Sequence, residues 1–244
     1  MIKSVGIIGF GRFGQLTAKV LKKHFKVFVT DCVNKQNESK DIGVCFKSFK
    51  ECAKQDVVIL CVPISDFEEI VKQIVPFLKD GCLVIDVCSV KEKPVKIMEK
   101  YIPKTCDCLG THPLFGPDTT KNGLKDKKIV ICLVKLNNHS KTKFSGFLHK
   151  LGLKIIETTP GEHDKQMAKS LALIHFLGRG LEKISVQDVE MATPTHDMFV
   201  ELVNIVQNDS EQLFVDMQQH NRFTCHVRKK LIKELSRMDG ELDG

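Results

Sequence analysis

Val5-Gly6-Ile7-Ile8-Gly9-Phe10-Gly11-Arg12-Phe13-Gly14 lies near the start of the chain, and Gln15 to Lys23 continues it with helical spacing. An apolar strand that runs into three glycines and then a helix has the layout of a dinucleotide site. Gly9 permits the tight turn, Gly11 lets the backbone approach a pyrophosphate, and Gly14 allows helix to pack on strand. A second apolar strand ends in Asp31, 22 residues after Gly9, where an acid accepts from both ribose hydroxyls. The expected cofactor-binding set is therefore Gly9, Phe10, Gly11, Arg12, Phe13, Gly14 and Asp31. Asp31 repels a 2′-phosphate and no arginine stands beside it, which favours NAD; Lys35 keeps NADP open.

Further along, short apolar runs alternate with amphipathic stretches: Val27 to Asp31, Val57 to Val62, Leu83 to Val87, Ile129 to Val134 and Leu153 to Ile156. Continuous apolar strands separated by helices signal a parallel sheet covered on both faces. From Thr159, Pro160 and Glu162, which read as a helix start, the period turns helical, with a break near Thr193 and Pro194. The expectation is an α/β, doubly wound domain over residues 1–157 followed by an all-helical domain over 158–244.

Composition narrows the class. With 42% hydrophobic and 27% charged residues, the 244-residue chain reads as globular rather than disordered or coiled-coil. Its apolar runs are too short to cross a membrane, and Met1 leads directly into the first strand, which leaves no room for a signal peptide. Ten cysteines occur singly and without a CxxC pair, as reduced thiols do in a cytoplasmic protein. Cys106 and Cys108 share one face of a short strand, without partners for a metal, and none is expected. The net charge of +7 comes mostly from lysine; it suits an anionic small molecule. The densest basic run, Arg228 to Lys233, reads as a solvated helix face rather than a nucleic-acid surface.

Two stretches carry candidate chemistry. Asp86-Val87-Cys88-Ser89-Val90-Lys91 lies at a strand's carboxyl end, where open α/β sheets bind ligands. Gly110-Thr111-His112-Pro113-Leu114-Phe115-Gly116-Pro117-Asp118 reads as a loop holding a histidine among glycines and prolines. Imidazole titrates near neutrality, so it suits removal of a hydroxyl proton while a hydride leaves the same carbon.

Gly9 to Gly14, Ser89 to Lys91, Thr111 to Pro117 and the run from Glu162 to Arg179 together resemble the prephenate and arogenate dehydrogenase family of tyrosine biosynthesis. The resemblance implies an NAD(P)-dependent oxidoreductase with a Rossmann domain, a helical domain that forms a homodimer, and an active site between them. It implies that His112 binds the substrate's ring hydroxyl and accepts its proton, that Ser89 orients that hydroxyl, and that His163 lies in the substrate pocket. Hydride leaves the hydroxyl-bearing carbon, and loss of carbon dioxide from the opposite carbon yields an aromatic product.

Two departures stand out. Asp118 occupies a position where many members carry glutamate, and no arginine lies between Arg179 and Arg222 to hold the ring carboxylate. A carboxylate in a partly dry pocket needs a cation or several donors, so Lys91, Arg179 and Arg222 become candidates. Two other readings remain: a different reductase of similar layout, and a nucleotide-sensing member without turnover.

Overall fold

A computed structural model describes residues 2–186 and 189–243, the side chain of residue 139 excepted. The chain divides into two compact units, Met1–Pro160 and Gly161–Gly244.

The first unit opens with β1 (Ser4–Ile8), α1 (Arg12–Leu21), β2 (Lys26–Thr30), α2 (Gln36–Ile42), β3 (Cys45–Phe46), α3 (Phe49–Ala53), β4 (Val57–Leu60) and α4 (Phe67–Ile74). It continues with β5 (Leu83–Asp86), α5 (Glu92–Tyr101), β6 (Asp107–Pro113), β7 (Lys128–Lys135), α6 (Asn138–Lys150) and β8 (Lys154–Glu157). The eight strands form one sheet in the order β3-β2-β1-β4-β5-β6-β7-β8.

Strand residues alternate between two faces, and both faces are covered. Val58 and Leu60 join a cluster with Phe67, Val71 and Ile74 of α4. Their neighbours Val57 and Ile59 join another with Ala18 and Leu21 of α1 and Ile42 of α2. That double burial is why β4 and β5 are apolar throughout rather than alternating.

The doubly wound α/β architecture agrees with the pattern, but two details differ. β7 runs antiparallel to β6, whereas every other pairing is parallel. Apolar spacing carries no information on strand direction. Second, the short strand at Cys108 extends through His112, which is a strand residue paired opposite Val130 and not part of a loop. Backbone pairing, with β5 and β7 at Gly110 and with β7 alone from Thr111 on, overrides the local turn propensity, and proline falls at the strand's last position.

The second unit holds most of α7 (Pro160–Lys169), then α8 (Leu171–Lys183), α9 (Pro194–Gln207), α10 (Glu211–His220) and α11 (Thr224–Leu242). Pro160 opens α7, and the sequence break at Thr193 is an N-cap whose hydroxyl accepts from the His196 N–H. Its interior mixes Ala172, Val203, Val206 and Met217 with buried His163, Asp164, His175, Asp216 and Asn221. None of the helices among the described residues is long and apolar enough to cross a membrane.

Candidate active site

At the carboxyl end of β1 the backbone turns through Gly9 at φ +92°, where an added Cβ would stand 2.2 Å from the Cys61 carbonyl oxygen. Only glycine satisfies both the conformation and the contact. Gly14 is held as closely, since a Cβ there would lie 2.1 Å from the Gly9 carbonyl oxygen. Above Gly11 there is open space, and Gly11 caps α1 without a side-chain partner. A ten-residue helix with an uncapped N-terminus facing a side-chain-free turn suits a phosphate group.

Asp31 follows β2 directly. Its Oδ2 accepts from the Phe10 N–H at 2.6 Å and its Oδ1 from the Val33 N–H at 3.1 Å. Lys35 Nζ stands 3.8 Å from Oδ2 and donates to the Phe10 carbonyl at 3.3 Å. Burial raises the Asp31 carboxyl, but the hydrogen bonds from Val33 and Phe10, with Lys35, outweigh it and hold the group below its ordinary value. Phe10 is wholly buried, so it offers the turn its backbone alone. Phe13 is half-buried and Arg12 exposed on the first turn of α1. The cradle fits a dinucleotide, with the charged Asp31 placed for ribose hydroxyls.

The ends of β5 and β6, beyond β4 in the sheet, carry the other candidates. Three residues past β5, Ser89 is buried and its Oγ has no hydrogen-bond partner. His112, near the end of β6, is 6% exposed. Thr111 Oγ1 donates to the Asp86 carbonyl at 2.6 Å, and the Cys88 N–H donates to Asp86 Oδ1 at 2.8 Å. Lys91 is fully buried; its Nζ donates to the Thr111 carbonyl at 2.6 Å and pairs with Asp86 Oδ1. Burial raises the Asp86 carboxyl against the pull of that ammonium. Burial also pushes the Cys61 thiol up to about 12 and Cys88 well above its ordinary value. Neither thiol therefore supplies a nucleophile at neutral pH.

Asp118, in the turn after β6, bonds Arg12 at 2.6 Å. In the helical unit His163 Nδ1 meets Asp164 Oδ1 at 2.7 Å, and Asn221 Nδ2 donates to the Asp164 carbonyl at 2.7 Å. Arg179 donates to the Asp209 carbonyl at 2.7 Å, lies 3.7 Å from Glu182 and 3.6 Å from Glu211, and stacks on Phe214. Its helix neighbour His175 also meets Asp209, at 3.6 Å. Arg222 lies over the ring of Phe223. Asp86, Thr111, Asp164 and Asn221 were not singled out by sequence reasoning. Asp86 and Thr111 lie within stretches quoted for other residues, whereas Asn221 is 57 residues from its partner.

A mostly parallel sheet with a glycine turn and acid at the ends of β1 and β2, and a buried serine and histidine at the ends of β5 and β6, defines the class as a Rossmann-type dinucleotide-binding fold. Comparison makes this specific. The prephenate dehydrogenase nucleotide-binding domain model matches residues 17–157, and a TYRAAT1-like C-terminal domain model matches residues 180–244. The chain belongs to the prephenate dehydrogenase family.

The probable arogenate/prephenate dehydrogenase of Methanocaldococcus jannaschii is 31% identical over 95% of this chain and 55% of that protein. Arogenate dehydrogenase 1, chloroplastic, of Arabidopsis thaliana is 32% identical over 89% of this chain and 36% of that protein. The chain thus spans about half and about a third of these two relatives. A crystal structure of prephenate dehydrogenase from A. aeolicus, in complex with hydroxyphenyl propionate and NAD+, superposes with a TM-score of 0.79. It is 22% identical and covers 99% of this chain and 91% of that one, which establishes the shared fold.

Proposed function

We propose that the chain catalyses NAD-dependent oxidative decarboxylation of prephenate or arogenate. The observation that carries this reading is the burial of Ser89 and His112 at the carboxyl ends of the adjacent parallel strands β5 and β6, in the same sheet whose β1 ends in the glycine turn. The names of the relatives support the substrate class.

In this reading the turn from Gly9 to Gly14 and the N-terminus of α1 hold the pyrophosphate, and Asp31 takes the ribose hydroxyls. The bound nicotinamide supplies the hydride acceptor. His112, unprotonated, accepts the proton of the ring hydroxyl as the hydride leaves the carbon that bears it. Ser89 Oγ, buried without a partner, has both a donor and an acceptor to spend on that hydroxyl. When carbon dioxide leaves the opposite ring carbon, its bonding electrons complete the aromatic ring, and the proton returns from His112 to the phenolate oxygen. His163, its Nδ1 engaged by Asp164, is the helical unit's candidate for binding substrate.

Lys35, next to Asp31, gives a 2′-phosphate a cation, so NADP is a secondary cofactor. Met198, Phe199 and Ile205 of α9 and Ile232, Leu235, Met238 and Leu242 of α11 are exposed apolar side chains; they support a homodimer formed through the helical unit. Ten free thiols suit a reducing compartment such as the cytoplasm.

The test is absorbance at the reduced-nicotinamide band with NAD and prephenate, arogenate or neither. Release of NADH with one of the two acids is expected; binding of NAD without turnover of either would favour a nucleotide-sensing role. The commitment of Arg179 to Asp209, Glu182 and Glu211 is the observation that favours this second reading.

A further inference from the structure

Ser89 and His112 stand on the ends of different strands, yet the proposed chemistry needs them to meet one hydroxyl group. A closed polar circuit joins those ends. β5 and β6 pair with Asp86 opposite Gly110. Beyond that pair, Thr111 Oγ1 donates to the Asp86 carbonyl, Lys91 Nζ donates to the Thr111 carbonyl and to Asp86 Oδ1, and Oδ1 also holds the Cys88 N–H. Gly110 makes room for the carboxylate, since a Cβ there would lie 3.3 Å from Asp86 Oδ2 and 3.0 Å from Val95 Cγ2.

Three of these four bonds act one residue from a reacting group, at Thr111 or at Cys88. The Thr111 carbonyl and the His112 N–H belong to one rigid peptide plane, so pinning that oxygen fixes the base of the His112 side chain. The Cys88 N–H immediately precedes Ser89, and holding it fixes the approach of the serine. Stability does not call for this arrangement, because buried ion pairs are often replaced by apolar groups at no loss. Lys91 and Asp86 are 0% exposed, which also removes Lys91 from direct contact with a substrate carboxylate.

We propose that Lys91 is a positioning residue, which acts through Asp86 and Thr111 to set the mutual placement of Ser89 and His112. This rests on the dehydrogenase reading above.

The test is the double variant Asp86→Asn/Lys91→Met, which removes both charges together and leaves no buried ion unpaired. Turnover is expected to fall by about 10- to 100-fold, the cost of an ångström-scale misplacement. The acid limb of its pH profile should shift, while KM for NAD and the melting temperature stay near wild type. A folded double variant with wild-type turnover and pH profile overturns the proposal. Should the double variant not fold, Lys91→Arg decides, since it keeps the charge but not the compact donor shared by Asp86 and the Thr111 carbonyl: lower turnover with an unchanged KM for NAD supports the positioning role, and unchanged turnover overturns it. A wild-type protein that reduces NAD with neither prephenate nor arogenate overturns the parent reading, and this one with it; an active wild type with an equally active variant overturns this one alone.

Discussion

Arg12, on the first turn of α1, reaches Asp118 in the turn after β6 at 2.6 Å. The bridge ties the glycine turn to the connection between β6 and β7. Both side chains are partly exposed, so it contributes only ~0–1 kcal/mol to stability. On the proposed function, a pyrophosphate at the α1 N-terminus would compete with Asp118 for the same guanidinium. Asp118→Asn should therefore tighten NADH binding, by no more than about fivefold given that energy, with little change in melting temperature. Titration of NADH fluorescence checks it, and weaker binding by the variant would contradict the competition.

Asp31→Ser should weaken NAD far more than NADP, because it removes the ribose acceptor and the charge that repels a phosphate. A hydrogen bond to a charged group is worth roughly 1.5–3 kcal/mol. Because Asp31 is held below its ordinary value, the carboxylate stays ionised, and its contribution present, until the pH falls through that depressed value. NAD affinity of the wild type should accordingly be level between neutral pH and about pH 5. Equal losses for both cofactors in the variant would count against the assignment.

His112→Asn keeps a polar group of similar size without a base. Turnover should fall by on the order of 10²-fold or more, and the acid limb of the pH profile should vanish. NAD binding should survive, since the cofactor cradle lies on β1 and β2. Near wild-type turnover with an unchanged profile would make His112 structural.

His175 gives the helical unit an acid sensitivity. Burial, with the nearby Arg179, holds its imidazole below the ordinary value despite Asp209. The unfolded chain therefore takes up a proton that the folded chain resists. Stability is full above the unfolded value of about 6.5 and declines as the pH falls through the depressed folded value. Melting temperatures from pH 7 to pH 5 should drop more for wild type than for His175→Gln; parallel curves would refute this.

Where burial on two faces forces a continuous apolar run, as in Val57 to Leu60 and Leu83 to Ile85, the strands were readable from sequence. β6 was only half readable, because Gly110-Thr111-His112-Pro113 has turn composition and owes its extended form to pairing with β7, with β5 reaching only Gly110. β3 spans two edge residues, Cys45 and Phe46, too few to show a period. At the site, local motifs marked Ser89, His112 and His163. Their supports were hidden: Lys91 reads as a cation for the substrate carboxylate until its burial against Asp86 is known, and Asn221 meets Asp164 through folding of the chain rather than spacing in it.

The antiparallel return of β7 has one more implication, for how this scaffold can diversify. Because β7 starts beside the end of β6, with the Leu114 N–H bonded to the Lys128 carbonyl, residues 115–127 form a closed excursion on the edge that carries Ser89 and His112. No crossover helix depends on that excursion. Doubling the length of such a loop costs only about 0.6 kcal/mol in closure entropy, while both anchors stay bonded to the sheet. The excursion can thus lengthen between its fixed points, Phe115 and Leu124 against the core and the Asp126 N–H on the Gly152 carbonyl, while the strands beneath it keep their register.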